Sequence, residues 1–324
     1  MKRIKIYFLC TVIFLCTVLG GCAGKETGNG DKLSVVTTIF ASYDFVRQIA
    51  KDRAQITLLL KPGAEAHSYE PTPKDIITIE KCDVFIYVGG ENDAWVDRIL
   101  SSIDTSGVTL VKLLDCVEKY QEEIVEGMQS HEGHSHGEDE ECDEEHEEEE
   151  WDEHVWTDPE NAIAICEEIT AALSGKSDND KEFFQNNFID YKKELEELDN
   201  DFTKLIEESN RKEIIFGDRF PLRYFTEAYG LKYYAAFPGC AAESEASAKT
   251  IAFLIDKVKE DEIPVIFKIE LSNGNIAETV SKDTGAKVCT FQTCHNVTKE
   301  DFDNQETYVS LMRKNLSVLK EALQ

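Results

Sequence analysis

Residues 180–209 read DKEFFQNNFIDYKKELEELDNDFTKLIEES, and their periodicity sets the architecture of the chain. Phe184, Phe188, Tyr191, Leu195, Leu198, Phe202 and Leu205 alternate spacings of four and three, with Glu, Lys, Asp and Asn filling most of the intervening positions. One stripe sustained at that period predicts an amphipathic helix with a single apolar face. At 1.5 Å per residue, some 30 residues make a rod of about 45 Å, which overruns one small domain. We read it as a backbone helix joining two halves; a helix belonging to one domain is the other reading of the same stripe.

Both flanks alternate strand and helix. Before the rod, strands are predicted over Leu33 to Phe40, Gln55 to Leu60, Asp83 to Val88 and Val108 to Leu113, with helices over Tyr43 to Lys51, Pro73 to Lys81 and Trp95 to Ile103. After it, strands are predicted over Glu213 to Phe216, Lys232 to Ala236, Pro264 to Ile269 and Ala286 to Phe291. The helices there run over Leu222 to Tyr229, Ser247 to Lys259, Gly274 to Thr284 and Asn304 to Leu323. Near-continuous apolar strands alternating with helices indicate parallel sheets covered on both faces. The expected fold is therefore α/β, with two lobes, each a parallel-type sheet flanked by helices, joined by one long rigid helix around a cleft. The expected division is 33–178 for the N-terminal lobe, 179–210 for the connecting helix and 211–324 for the C-terminal lobe.

The N-terminus predicts export. Lys2, Arg3 and Lys5 precede the apolar stretch Ile6 to Leu19, too short for the roughly 20 residues of a spanning helix, and Leu19-Gly20-Gly21-Cys22 closes it. Small residues before a cysteine look like a bacterial lipobox. Residues 1–21 then form the signal, Cys22 carries lipid, and 22–32 is a polar tether to the membrane. The net charge of −30 argues against a nucleic-acid partner, since phosphate binding needs Lys and Arg. Of the ten cysteines, Cys10 and Cys16 leave with the signal. Cys82, Cys116, Cys142, Cys166, Cys240, Cys289 and Cys294 then remain, and this odd, dispersed set does not read as a disulfide scaffold. If one pair closes, Cys240 with Cys294 is the expected one, because both flank predicted site loops.

All seven histidines suit a divalent metal. His131, His134, His136 and His146 lie in a tract, 130–153, that holds 14 Asp or Glu between residues 131 and 153 and no Lys or Arg. Such charge density will not fold alone; the tract is expected to be a solvated loop that binds metal loosely, outside the primary site. His67 follows a predicted strand, His295 follows the last one, and His154 stands just before a helix starting near Asp158-Pro159. Ligands of open α/β sheets bind beyond the carboxyl ends of strands, so these three are the candidates for a cleft site.

Two motifs then carry a resemblance. Pro62-Gly63-Ala64-Glu65-Ala66-His67-Ser68-Tyr69-Glu70-Pro71-Thr72-Pro73 resembles the first metal-ligand motif of the zinc and manganese solute-binding proteins of ABC transporters. Glu153-His154-Val155-Trp156-Thr157-Asp158-Pro159 resembles their second, and a His/acidic loop just upstream is typical of the zinc branch. The likeness covers nearly all of the mature chain. It implies His67 and His154 as N-lobe ligands and, as partners, an ABC permease with its ATPase subunits. It also implies a C-lobe His or Glu in the region of Phe216-Gly217-Asp218-Arg219-Phe220, where this chain offers Asp218, and a last ligand near Gln292 to His295, where His295 is the good donor. Glu243, Glu245 and Glu270 are reserves, expected to be solvated or structural.

The expected function is therefore extracytoplasmic capture of Zn(II) by a lipid-anchored monomer, with delivery to a permease. Mn(II) is the alternative cargo, favoured by oxygen-rich sites. A secreted zinc hydrolase would need three ligands, an open water position and a general base. No His-Glu-x-x-His motif occurs, and the candidate ligands are spread over both halves. A metal-dependent surface adhesin is compatible with an exposed lipoprotein, but no residue pattern specifies its partner.

Overall fold

The apolar runs flanking residues 180–209 do build parallel sheets. The computed structural model describes residues 32–65, 69–91, 93–128, 150–241 and 245–324. The export signal, Cys22, most of the tether and the four tract histidines lie outside the described residues, as does His67. In the N-lobe, β1 (Leu33–Thr37), α1 (Phe40–Ala50), β2 (Ala54–Leu58), α2 (Pro73–Glu80), β3 (Val84–Tyr87), α3 (Ala94–Leu100) and β4 (Thr109–Lys112) follow one another, and the sheet order is β2-β1-β3-β4. All of its pairings are parallel. Local chemistry sets the helix starts. Thr72 and Asp75 cap each other's backbone ahead of Pro73 in the first turn of α2, while Asp158 accepts from the Glu160 amide ahead of Pro159, which opens α4 (Pro159–Lys176).

The long helix is α5 (Lys181–Glu208). Its 28 residues rise about 42 Å at 1.5 Å each. It buries Phe184, Tyr191, Leu195, Leu198, Phe202 and Ile206, so the predicted stripe is the face it packs. The C-lobe continues with β5 (Glu213–Phe220), α6 (Arg223–Tyr229), β6 (Lys232–Pro238), α7 (Ala248–Glu260), β7 (Val265–Ile269), α8 (Asn275–Thr284), β8 (Lys287–Phe291), α9 (Lys299–Asp303) and α10 (Tyr308–Leu323). Its sheet order, β6-β5-β7-β8, repeats that of the N-lobe. α5 packs against α1 and α4 on one side and α10 and α6 on the other, which is the connecting role its length requires.

One hydrophobic core runs through both lobes, from Val35 and Val84 through Trp156, Leu195 and Phe202 to Phe216, Phe267 and Phe291. Residues 33–324 accordingly form a single unit. Swinging the lobes apart would expose that shared core, at roughly 25 cal/mol per Å² of apolar surface. Among the described residues no helix is long and apolar enough to cross a membrane.

Three sequence expectations are corrected here. The helix expected over Asn304 to Leu323 starts only at Tyr308, after the separate short α9, because Gln305 takes a positive φ of 60° and Thr307 forms a new capping box with Ser310. β5 runs to Phe220, past the expected end at Phe216, with its register against β6 shifting between Phe216 and Arg219. Cys240 and Cys294 are both free thiols. Cys294 is fully buried in a left-handed turn (φ 59°), whereas Cys240 sits beside Glu153, Asp152 and Glu122, so the two sulfurs occupy different surroundings.

Candidate metal site

Strand order decides where a site can form. In each sheet the direction of travel reverses beside the first strand, between β1 and β3 and between β5 and β7, which opens a crevice at their carboxyl ends. A cavity of about 30 Å³ lies at these ends in the C-lobe. Its walls come from Arg219 near the end of β5 and Pro221 after it, Gly239 after β6, Glu270 and Leu271 after β7, and His295 after β8. The N-lobe contributes His154 and the Ala64-Glu65 loop.

His154 is fully buried on the short turn before α4. Its Nδ1 lies 3.1 Å from Asp152 Oδ1, and the same carboxylate oxygen accepts the His154 amide at 2.8 Å. Nε2 is buried with no hydrogen-bond partner among the described residues. A carboxylate on Nδ1 selects the tautomer whose Nε2 lone pair is available, the arrangement seen behind metal-ligating histidines. Burial alone would depress the imidazole pKa; Asp152, Glu153 and Glu122 outweigh it and hold the pKa above its ordinary value.

His295 faces this ring. The two ring centroids are 5.6 Å apart and inclined at 73°. Two imidazoles bound to one tetrahedral zinc at about 2.0–2.1 Å hold their centroids about 5 Å apart, so the pair has the spacing of co-ligands. Trp156 packs against both rings, tilted to His154 at 5.5 Å and edge-on to His295 at 5.1 Å. The turn carrying His295 is clamped at Thr293. Its carbonyl accepts Trp156 Nε1 at 2.8 Å, and its amide donates to Glu270 Oε2 at 2.7 Å.

The carboxylates divide differently from the sequence expectation. Glu270, held in reserve as a solvated or structural group, is buried on the cavity wall, and desolvation pushes its carboxyl up to about 7. Asp218 is not among the residues lining the cavity. Its oxygens accept the Arg219 amide at 2.9 Å and the Ile269 amide at 3.4 Å, with a further bond from Ser272, so it staples β5 to the turn after β7. Gly217 carries no side chain for a steric reason: a Cβ there would meet the backbone of Ala277 in α8 at 2.6 Å. Glu243 lies outside the described residues. Among the described residues no group of three or more His, Cys, Asp and Glu side chains is assembled to hold a metal; the pair His154–His295 is what the structure brings together. Sequence reasoning missed Thr293 as part of this wall, and Asp152 and Trp156 as the groups that back its two imidazoles. Asp152 alone had a local signal, its position two residues before His154.

Fold and site together define a two-lobed solute-binding protein. The chain belongs to the ZnuA family, the periplasmic component A of zinc-uptake complexes, whose pattern matches residues 35–322. It is 32% identical over 321 residues to the high-affinity zinc uptake system protein ZnuA of Bacillus subtilis, covering 96% of each chain. It is 31% identical over 323 residues to the zinc-binding lipoprotein AdcA of Streptococcus pneumoniae; the match takes in 99% of this chain but 61% of that longer relative. The crystal structure of the Zn(II)-bound ZnuA-like domain of the pneumococcal protein superposes with a TM-score of 0.72 at 30% identity, over 90% of this chain and 99% of that one.

Proposed function

We propose that this chain captures Zn(II) outside the cytoplasmic membrane and hands it to the permease of an ABC importer, whose ATPase subunits drive uptake. It acts as a monomer tethered through lipid on Cys22. The observation that carries the reading is the buried, unpartnered Nε2 of His154, oriented by Asp152 and set opposite His295 at co-ligand spacing. His67, from the loop that begins at the cavity wall, supplies the third imidazole. Glu270 is better placed than Asp218 to complete the set, because a carboxylate that is buried with no ion pair among the described residues gains most from a nearby cation. Three nitrogen donors favour zinc over manganese. Anomalous scattering from metal-loaded crystals at the zinc and manganese edges, beside uptake in a deletion strain, tests this reading. Manganese at the site, or unimpaired zinc uptake in the deletion strain, overturns it.

Two further outcomes follow from the same reading. Deleting residues 130–150 is expected to remove weak zinc sites and keep the tight one. The chain on either side of the deletion stays pinned, with Asp152 N donating to Tyr120 O at 3.0 Å and Gln121 bridging Trp151, so a short link can replace the tract without moving His154. Loss of the tight site in a zinc titration would make a tract histidine a primary ligand. Cys22→Ser is expected to release protein into the medium or to leave an unprocessed precursor. Recovery of the variant as a normally processed membrane species would refute the lipid anchor.

A further inference from the structure

Asn296, next to His295, has no donor role toward the metal, yet it is 3% exposed and fully satisfied. Its Nδ2 donates to Lys61 O at 2.9 Å and to Ala64 O at 2.8 Å, and its Oδ1 accepts the Val297 amide at 2.8 Å. The orientation of the amide is forced, since both carbonyls can only accept and the Val297 N–H can only donate. The Gly63 amide adds a bond to Val297 O at 2.8 Å. Residues Lys61-Pro62-Gly63-Ala64 form a tight turn closed by Ala64 N donating to Lys61 O at 3.0 Å, with Gly63 at a φ of 83°. Proline followed by a left-handed glycine is the type II pattern. Asn296 thus grips both ends of this turn from 235 and 232 residues away.

The gripping side is itself anchored. Thr293 is held by Glu270 and Trp156, and the carbonyls of Cys294 and His295 accept the amides of Ala41 and Phe40 at 3.1 and 3.0 Å. Three residues beyond Ala64 the chain reaches His67. The same loop has a second tie, Glu65 to Arg219 at 3.0 Å, but Glu65 is about half exposed. Ion pairs open to solvent contribute little. The buried amide is the stronger fastening.

We infer that Asn296 is a positioning residue that fastens the Lys61–Ala64 turn, from which the chain runs on to His67, to the His295 turn. The inference rests on both histidines being ligands, as proposed above. Asn296→Asp keeps the acceptor for Val297 and replaces both donated bonds with a carboxylate facing two carbonyl oxygens. Asn296→Ala removes the donors without adding charge.

The test is a double-mutant cycle on the mature protein, with Zn(II) affinity read by competition with a chromophoric chelator and folding by thermal melting of the metal-free form. Either Asn296 variant is expected to weaken zinc binding by about 10–100-fold, the range for partners that orient a ligand. In a His67→Ala background the same change is expected to cost less than about twofold, since the loop then carries no ligand to position. Hydrogen exchange at the Gly63 amide should accelerate while the Thr293 amide, which donates to Glu270, stays protected. An equal loss in both backgrounds, or full affinity in folded Asn296 variants, overturns the inference while leaving the ligand set standing. Unchanged affinity in His67→Ala alone overturns the ligand assignment, and the inference with it.

Discussion

Alanine at position 154 is expected to weaken zinc binding by at least about a hundredfold, near 2.8 kcal/mol. Three effects add in that substitution. One nitrogen donor is lost from the site, and its place falls to water or to nothing. Asp152, 2% exposed and oriented on the imidazole, is left with a buried oxygen whose side-chain partner has gone. The third is a void where a fully buried ring stood against Trp156. His295→Ala should cost less, at least about tenfold or 1.4 kcal/mol, because His295 closes the site from a turn that Thr293 holds independently. Competition titrations on the two variants check the order. A folded His154→Ala protein that binds zinc like the parent would remove the cavity as the site and direct attention to His131, His134, His136 and His146.

Trp156→Ala is expected to be the most destabilising single change near the site, at about 3–5 kcal/mol for a fully buried tryptophan. Trp156 is 0% exposed and belongs to the core shared by both lobes. Its indole nitrogen donates to Thr293 O at 2.8 Å, and its own carbonyl accepts Tyr308 OH at 2.8 Å, so it ties the start of α4 to the β8 turn and to α10. Removing the indole orphans the Thr293 carbonyl and takes the packing surface from both histidines, so zinc affinity falls together with stability. Denaturant unfolding of the metal-free protein measures the first effect. Trp156→Phe keeps most of the apolar contact and loses the one hydrogen bond, so it should recover most of the stability. A midpoint for Trp156→Ala within error of the parent would mean that the lobes hold together without this residue.

Periodicity made the architecture legible. The stripe from Phe184 to Phe202 is set by a backbone repeat that any helix obeys, and the buried face of α5 is that stripe. The apolar runs of β1, β3, β5 and β7 likewise announced parallel sheets, because a strand covered on both faces has no polar side to show. His154 and His295 were legible as strand-end and helix-start residues, since sheet topology dictates where the carboxyl ends point. Local pattern carries no information about partners dozens or hundreds of residues away, and the rest of the site depends on those partners. Whether Asp218 or Glu270 lines the cavity is decided by the amide of Ile269, 51 residues from Asp218, and by Thr293, 23 residues from Glu270. The separation of Cys240 from Cys294 follows from the turn that buries one and the carboxylates that surround the other. The grip of Asn296 on Lys61 and Ala64 exists only because the two lobes share one core and bring a C-lobe turn against an N-lobe loop. The sequence by itself determined the elements, their parallel order and two of the candidate ligand positions. Tertiary structure alone decided which polar groups face the cavity, because a buried donor or acceptor goes to whichever partner the packed chain sets within about 3 Å of it.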